Sequence, residues 1–234
     1  MSPIGFAHRG ARKELPENTL PSFRRALDLG ATGLESDAWC SGDGEVVLVH
    51  DSVVRRGLRR VVVRDSSAAE LAAFGVPRLA DLYGELGTAY ALSLDVKHDG
   101  AADAVVATAR RAGDSAVGGL WLCSPSLDLL TRLRAEEPDV HLVHSVRKHA
   151  LSAPIERHAS DLASLGVDAM NMHHSEWSTG LVALFHKFGV RSFAWDAQEV
   201  RHLRAVLAMG VDALYCDRPD RMMAVIGEFA SPGS

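Results

Sequence analysis

The chain has 234 residues, 47% of them apolar and 24% charged, and a formal net charge of -5. That balance suits a globular chain able to bury a full core and excludes a disordered, low-complexity polymer. No apolar run approaches the ~18 residues of a membrane span, and the mild acidity gives no basic face for nucleic acid.

Three cysteines, Cys40, Cys123 and Cys216, are odd in number and lack CxxC spacing. They argue against a disulfide framework or a zinc site and fit a reducing compartment. The chain enters a strand-like segment at once, without a basic and apolar leader, so a cytoplasmic location is expected.

Taken in order, the apolar run IGFA ends in His8-Arg9-Gly10, and a helix over 20–29 follows the signals Pro16, Asn18, Thr19 and Pro21. GLESDAW (33–39) reads as a second strand. Asp43-Gly44 between two apolar runs then marks a hairpin that returns to His50-Asp51. Residues 51–90 break the rhythm with an Arg-rich loop (RRGLRR, 55–60), a VVV run, a short helix over 68–74 and a helix in PRLADLYGEL. RRGLRR reads as a solvated loop or as charge placed near an anionic substrate.

Six further strands follow: ALSLDVK, GLWLCS, VHLVHSV, AMNMHH, RSFAWD and ALYCD. Helices are expected over 101–112, 126–135, 155–165, 178–188, 199–209 and 221–229, and the tail ASPGS is expected to fray. Strands alternating with helices imply parallel pairing, and eight such units imply a closed (β/α)8 TIM barrel. It would be a single domain over 1–230 with 51–90 as a small insertion. An open doubly wound sheet is the alternative, weakened by the lack of GxGxxG after the first strand.

In such a barrel the chemistry lies at the C-terminal ends of the strands. Those ends carry His8-Arg9, Glu35 with Asp37, Asp95 with Lys97, Trp195 and Asp217-Arg218, and the hairpin delivers His50-Asp51. Glu35 and Asp37 are two apart on a strand and point the same way. Two facing carboxylates repel unless one is protonated or a cation sits between them. They suit a hard divalent ion, Mg²⁺ or Ca²⁺, unless they face solvent or pair with arginines. Asp95, ending the next barrel strand, can reach the same point. Lys97 can serve as counter-ion, contact a phosphate oxygen, or both. His8 and His50, each unremarkable alone, together flank the carboxylates as an acid and a base. His173 and His174 are neighbours on a strand, so at most one faces inward. Trp195 is either core or a wall for the substrate, and Asp217 reads as a helix cap.

The series HRG, PENTxxSF, GxExD, DGxxVxxHD, an acidic-x-Lys strand and GVDxxxxDRPD resembles the glycerophosphodiester phosphodiesterases, in order from His8 to Asp220. The resemblance implies a phosphodiesterase-type barrel in which Glu35, Asp37 and Asp95 bind one divalent cation. It also implies His8 and His50 as general acid and base, and Arg9 and Lys97 on the phosphate. Glu17 would lie near the metal or the glycerol hydroxyls. The implied reaction is hydrolysis of a glycerophosphodiester to glycerol 3-phosphate and an alcohol.

Three features depart from the pattern. The third strand more often carries Glu-x-Lys where Asp95 stands, shortening that ligand by one methylene. The segment after His50 lacks the usual Arg-Thr-rich pattern. Asp-x-Lys with paired histidines also looks like the sphingomyelinase-D-type phospholipases, which attack lysolipids. A lysophospholipase D is therefore the alternative enzyme, and a non-catalytic barrel binding phosphorylated ligands is the alternative without chemistry. The expected partner is a small glycerophosphodiester or lysolipid, with no nucleic acid and no stable membrane insertion; oligomeric state is open.

Overall fold

Eight strands pair in parallel and close on themselves in the computed structural model, which describes residues 2–230. They are β1 (Ile4–His8), β2 (Gly33–Cys40), β6 (Ala91–Val96), β7 (Leu120–Ser124), β8 (His141–Ser145), β9 (Ala169–His173), β10 (Arg191–Trp195) and β11 (Ala213–Cys216). Closure comes from β1, which bonds β11 on one side and β2 on the other. This is the TIM barrel expected, and the open sheet is excluded.

The helices α1 (Leu20–Asp28), α4 (Asp99–Ala112), α6 (Leu127–Glu136), α7 (Ile155–Ser164), α8 (Thr179–Lys187), α9 (Val200–Met209) and α10 (Pro219–Ala230) connect the strands. A five-residue helix, α5 (Asp114–Gly118), was not foreseen. The expected fraying of the tail concerns residues outside those described, apart from the backbone of Ala230.

Outward-pointing strand residues such as Leu34, Leu94 and Leu142 pack under the helices. Inside the barrel, Phe6, Trp121, Val143, Phe193 and Tyr215 form a separate apolar plug. The rings of Phe6 and Tyr215 stack at 4.9 Å. Gly33 makes room for them, since a Cβ there would lie 2.5 Å from the Phe6 ring. The plug is the floor on which the strand ends present their polar groups.

The insertion after β2 has its own small core. β3 (Val46–Leu48) pairs antiparallel with the end of β2, turning at Ser41–Gly44, where Gly44 has φ +85. RRGLRR, expected as a loop, is a β-hairpin of β4 (Val53–Arg56) and β5 (Arg59–Val62). Valines at both ends pair in register, and Gly57 (φ +61) turns the chain, so β propensity overrides the arginines. Val54 and Val61 root the hairpin on Val47, Val63 and Leu71, the last from α2 (Ala68–Ala72). α3 (Leu79–Leu86) then leads back to β6.

The N-terminal face of the barrel is held differently from its mouth. Arg134 on α6 donates to the carbonyls of Pro138, Val140 and Gly166 and meets Asp168 Oδ2 at 2.6 Å. The same Asp168 oxygen accepts the Leu142 N–H at 2.8 Å. Burial alone would raise this carboxyl, but the bonds from His141, Leu142 and Arg134 hold it below the ordinary Asp value. Its stabilisation is therefore present above the unfolded pKa of about 3.9 and is lost as pH falls through the folded value. Asp168→Asn should lower unfolding free energy by about 1–2 kcal/mol in urea at neutral pH, with turnover per folded molecule unchanged. The deficit should shrink as pH drops below ~4, and an unchanged midpoint at neutral pH would contradict this role.

Candidate active site

β1 ends at His8 in a turn that ordinary residues avoid. Arg9 has φ +56 and Gly10 φ +81. The turn is strapped to the start of α1: Asn18 N–H donates to Arg9 O (3.1 Å), and Ala11 N–H to Ser22 O (3.0 Å). Asn18 (φ +53) is buried and accepts the Ser36 hydroxyl at 2.8 Å. Thr19 caps α1 through Ser22 N–H, with Pro21 in the first turn. Among the described residues, the non-glycine positions with positive φ are Arg9, Asn18 and Asp196, all three beside the cavity or its adjoining cleft. Such backbone costs of order 1–3 kcal/mol per residue and persists only where packing over-determines it.

Strand register builds the acidic cluster. His8 lies opposite Glu35, and Asp37 opposite Asp95, as parallel Cα partners. Each of Glu35, Asp37 and Asp95 offers a carboxylate oxygen within 4.8 Å of the others. Glu35 and Asp37 are 5% and 2% exposed, so water screens them little. Burial drives the Glu35 carboxyl up to about 8, with Asp37 and Asp95 adding to the rise and His8 opposing it. Burial and Asp37 likewise lift Asp95 to about 6, against Lys97.

The positive charge at hand is limited. Lys97 Nζ sits 2.7 Å from Asp37 Oδ1, and Arg9 Nε 3.3 Å from Asp37 Oδ2. Even so, Asp37 Oδ2 is buried without a hydrogen bond. Three oxygen donors with an orphaned buried lone pair fit a hard divalent cation.

His8 is oriented from the far side of the barrel seam. Its Nδ1 lies 2.7 Å from Asp217 Oδ1, and its Nε2 points to Glu35 Oε2 at 3.8 Å. Burial would lower the His8 pKa, but Glu35 and the Asp217 hydrogen bond outweigh it and raise the value above 6.5. Asp217, expected as a helix cap, instead holds His8 and meets Lys13 at 3.1 Å. Although burial opposes it, these partners bring its carboxyl down to about 2.

A cavity of about 360 Å³ opens over this cluster, lined by His8, Arg9, Glu35 and Asp95 on one side. Ser145, Arg147, Asn171, Trp195 and Gln198 line the other side, and the Arg147 guanidinium lies 4.4 Å over the Trp195 ring. Trp195 is thus a cavity wall. Glu17 clamps Arg9 (2.9 Å) and Arg12 (2.5 Å) and lines a second cleft with His50 and Asp51. His50 Nδ1 bonds Asp51 Oδ1 at 2.7 Å, and its half-exposed ring is not among the groups lining the main cavity. Lys97 is engaged as the counter-ion of Asp37. His173 bonds Asp196 (3.2 Å), and His174 stacks on His202; neither lines the cavity. Asp217, Arg147 and Asn171 were missed as site residues. For Asp217 the signal existed, since it ends the strand that closes on β1.

The glycerophosphoryl diester phosphodiesterase family matches residues 8–85 and 90–221. The chain belongs to this family. A glycerophosphodiester phosphodiesterase of Bacillus altitudinis is 22% identical over 94% of this chain and 96% of its own length. One from Caldanaerobacter subterraneus is 46% identical over 56 residues, 24% of this chain and 23% of that protein. This chain thus aligns with about a quarter of that relative's length. Among solved structures, a glycerophosphodiester phosphodiesterase of Thermotoga maritima shares the fold at TM-score 0.84 and 22% identity, covering 96% of this chain and 99% of that one. An Oleispira antarctica phosphodiesterase in complex with the product sn-glycerol-3-phosphate superposes at TM-score 0.82 and 23% identity, covering 96% and 97%.

The glycine of the family's HRG turn can be tested directly. A Cβ on Gly10 would lie 2.8 Å from the Ser22 backbone, at a φ that side chains rarely adopt. Gly10→Ala should cost about 2 kcal/mol or more of stability and pull Arg9 N–H from its 2.9 Å bond to Glu35. A variant with wild-type thermal midpoint and turnover would show the turn to be slack.

Proposed function

We propose that the chain is a metal-dependent glycerophosphodiester phosphodiesterase, releasing glycerol 3-phosphate and an alcohol by acid–base catalysis between His8 and His50. The observation that carries this reading is the convergence of Glu35, Asp37 and Asp95 beside an imidazole at one strand-end cavity. The family match and the product complex of the Oleispira relative support the substrate class. The three free cysteines fit the expected cytoplasmic location.

Glu35, Asp37 and Asp95 would hold a divalent cation, Mg²⁺ or Ca²⁺, which would supply positive charge to offset that of the phosphodiester. Arg9 adds a guanidinium at the junction of the two clefts, between Asp37 and Glu17. Asp217 accepts a hydrogen bond from the Nδ1–H of His8, which fixes the ring and leaves Nε2 to exchange protons with the substrate. One of the two histidines removes the proton of water as its oxygen bonds phosphorus. The other gives a proton to the alcohol oxygen as its bond to phosphorus breaks. His50 lines the adjoining cleft with Glu17, which clamps Arg9, and in this reading it serves the phosphate from there. Trp195 and Asn171 flank the space left for the remainder of the diester.

His8→Ala and His50→Ala should each lower kcat by about 10²–10⁴-fold while circular dichroism stays unchanged. Wild-type rates in either would remove that residue from the mechanism. Asp217→Asn should cause a smaller fall in kcat with KM unchanged, because it mis-sets the ring without touching substrate. Chelation should abolish turnover of glycerophosphocholine, and Mg²⁺ or Ca²⁺ should restore it. Lysophosphatidylcholine should not be turned over under the same conditions, and faster cleavage of it would replace the reading with a lysophospholipase D.

A further inference from the structure

The hairpin of β4 and β5 has no role in the chemistry above, yet its sequence is costly. Register places Arg55 opposite Arg60 and Arg56 opposite Arg59. Like charges directly opposite on paired strands destabilise them. Among the described residues, none of these four guanidinium groups has a carboxylate within ion-pair distance. Arg56 donates to the Ala73 carbonyl, and Arg59 lies 5.4 Å over the Phe74 ring. All four arginines are exposed, in a chain whose net charge is -5.

The apex adds a second anomaly. Leu58 is 106% exposed at the turn, and Val62 is 39% exposed on the face that carries Arg55 and Arg60. Two of the three exposed large apolar side chains named among the described residues therefore sit on this one hairpin. Its root is fixed: Val54 and Val61 pack in the insertion core, and Gly57 (φ +61) opens a two-residue turn as type II′ requires. An apolar apex flanked by arginines without carboxylate partners suits a surface that is anionic outside and apolar just beneath.

We propose that this hairpin docks the protein reversibly on anionic lipid bilayers. The arginines meet the headgroup charge, and Leu58 enters the boundary with the acyl chains. A nucleic acid would meet the arginines but would leave Leu58 unused. Val53, Val54 and Arg55 also line the cleft that holds His50 and Glu17, so docking turns this face of the barrel mouth toward the membrane. No helix of the described residues is long and apolar enough to cross a membrane, and the docking proposed is peripheral.

The test is flotation of the full chain with phosphatidylcholine vesicles, with and without phosphatidylglycerol. Binding is expected only where phosphatidylglycerol is present, and it should fall as salt is added. Arg59→Gln/Arg60→Gln should weaken it roughly thirtyfold, and Leu58→Ser roughly tenfold. Neither variant should change turnover of a water-soluble diester, which also shows that both are folded. Failure of the wild type to float with phosphatidylglycerol vesicles would overturn the proposal. So would Leu58→Ser floating like wild type while duplex DNA competes for the hairpin, which would mark a nucleic-acid surface instead.

Discussion

Three carboxylates held within 4.8 Å in a water-poor barrel mouth are the constraint around which the site is arranged. Like charges so close in a poorly screened site cannot all remain ionised without positive charge among them. Lys97 and Arg9 both spend their charge on Asp37, and His8 faces Glu35. Arg9 can do so only from a left-handed backbone position, which the Asn18 bond to its carbonyl and the Glu17 clamp hold in place. Asp37 Oδ2 still has no hydrogen bond, and the proposed cation would relieve it.

The two ends of the barrel divide the work. At the N-terminal face, Arg134 and Asp168 satisfy backbone groups from several elements and leave little strain. At the C-terminal face the chain accepts positive φ at three non-glycine residues and buried acids with raised pKa values. Between them the plug of Phe6, Phe193 and Tyr215 keeps water from entering below the carboxylates. The insertion, with its own core, holds His50 beside this mouth and carries the arginine hairpin outward.

Much of this was legible in the sequence, because strand periodicity fixes which residues share a face. Glu35 with Asp37, and Asp95 two residues before Lys97, follow from alternation and from the neighbouring order of β2 and β6. Asp217 reads locally as a helix cap, while its partner His8 lies 209 positions away. Closure of the barrel, which makes β11 the neighbour of β1, would have exposed that pairing. Arg147 reaches the cavity from a loop after β8, where no periodicity points. The hairpin was hidden by its arginines, although paired valines and Gly57 marked it. The placement of the His50 ring depends on side-chain torsions that no pattern encodes.

The most direct measurement is calorimetric titration of metal-free protein with Mg²⁺ and with Ca²⁺ at neutral pH, for the wild type and for Asp37→Asn. A cation completing the carboxylate cluster predicts binding of one ion per chain that Asp37→Asn abolishes or weakens severely. No binding of either ion by the wild type, or binding that Asp37→Asn leaves intact, would contradict it.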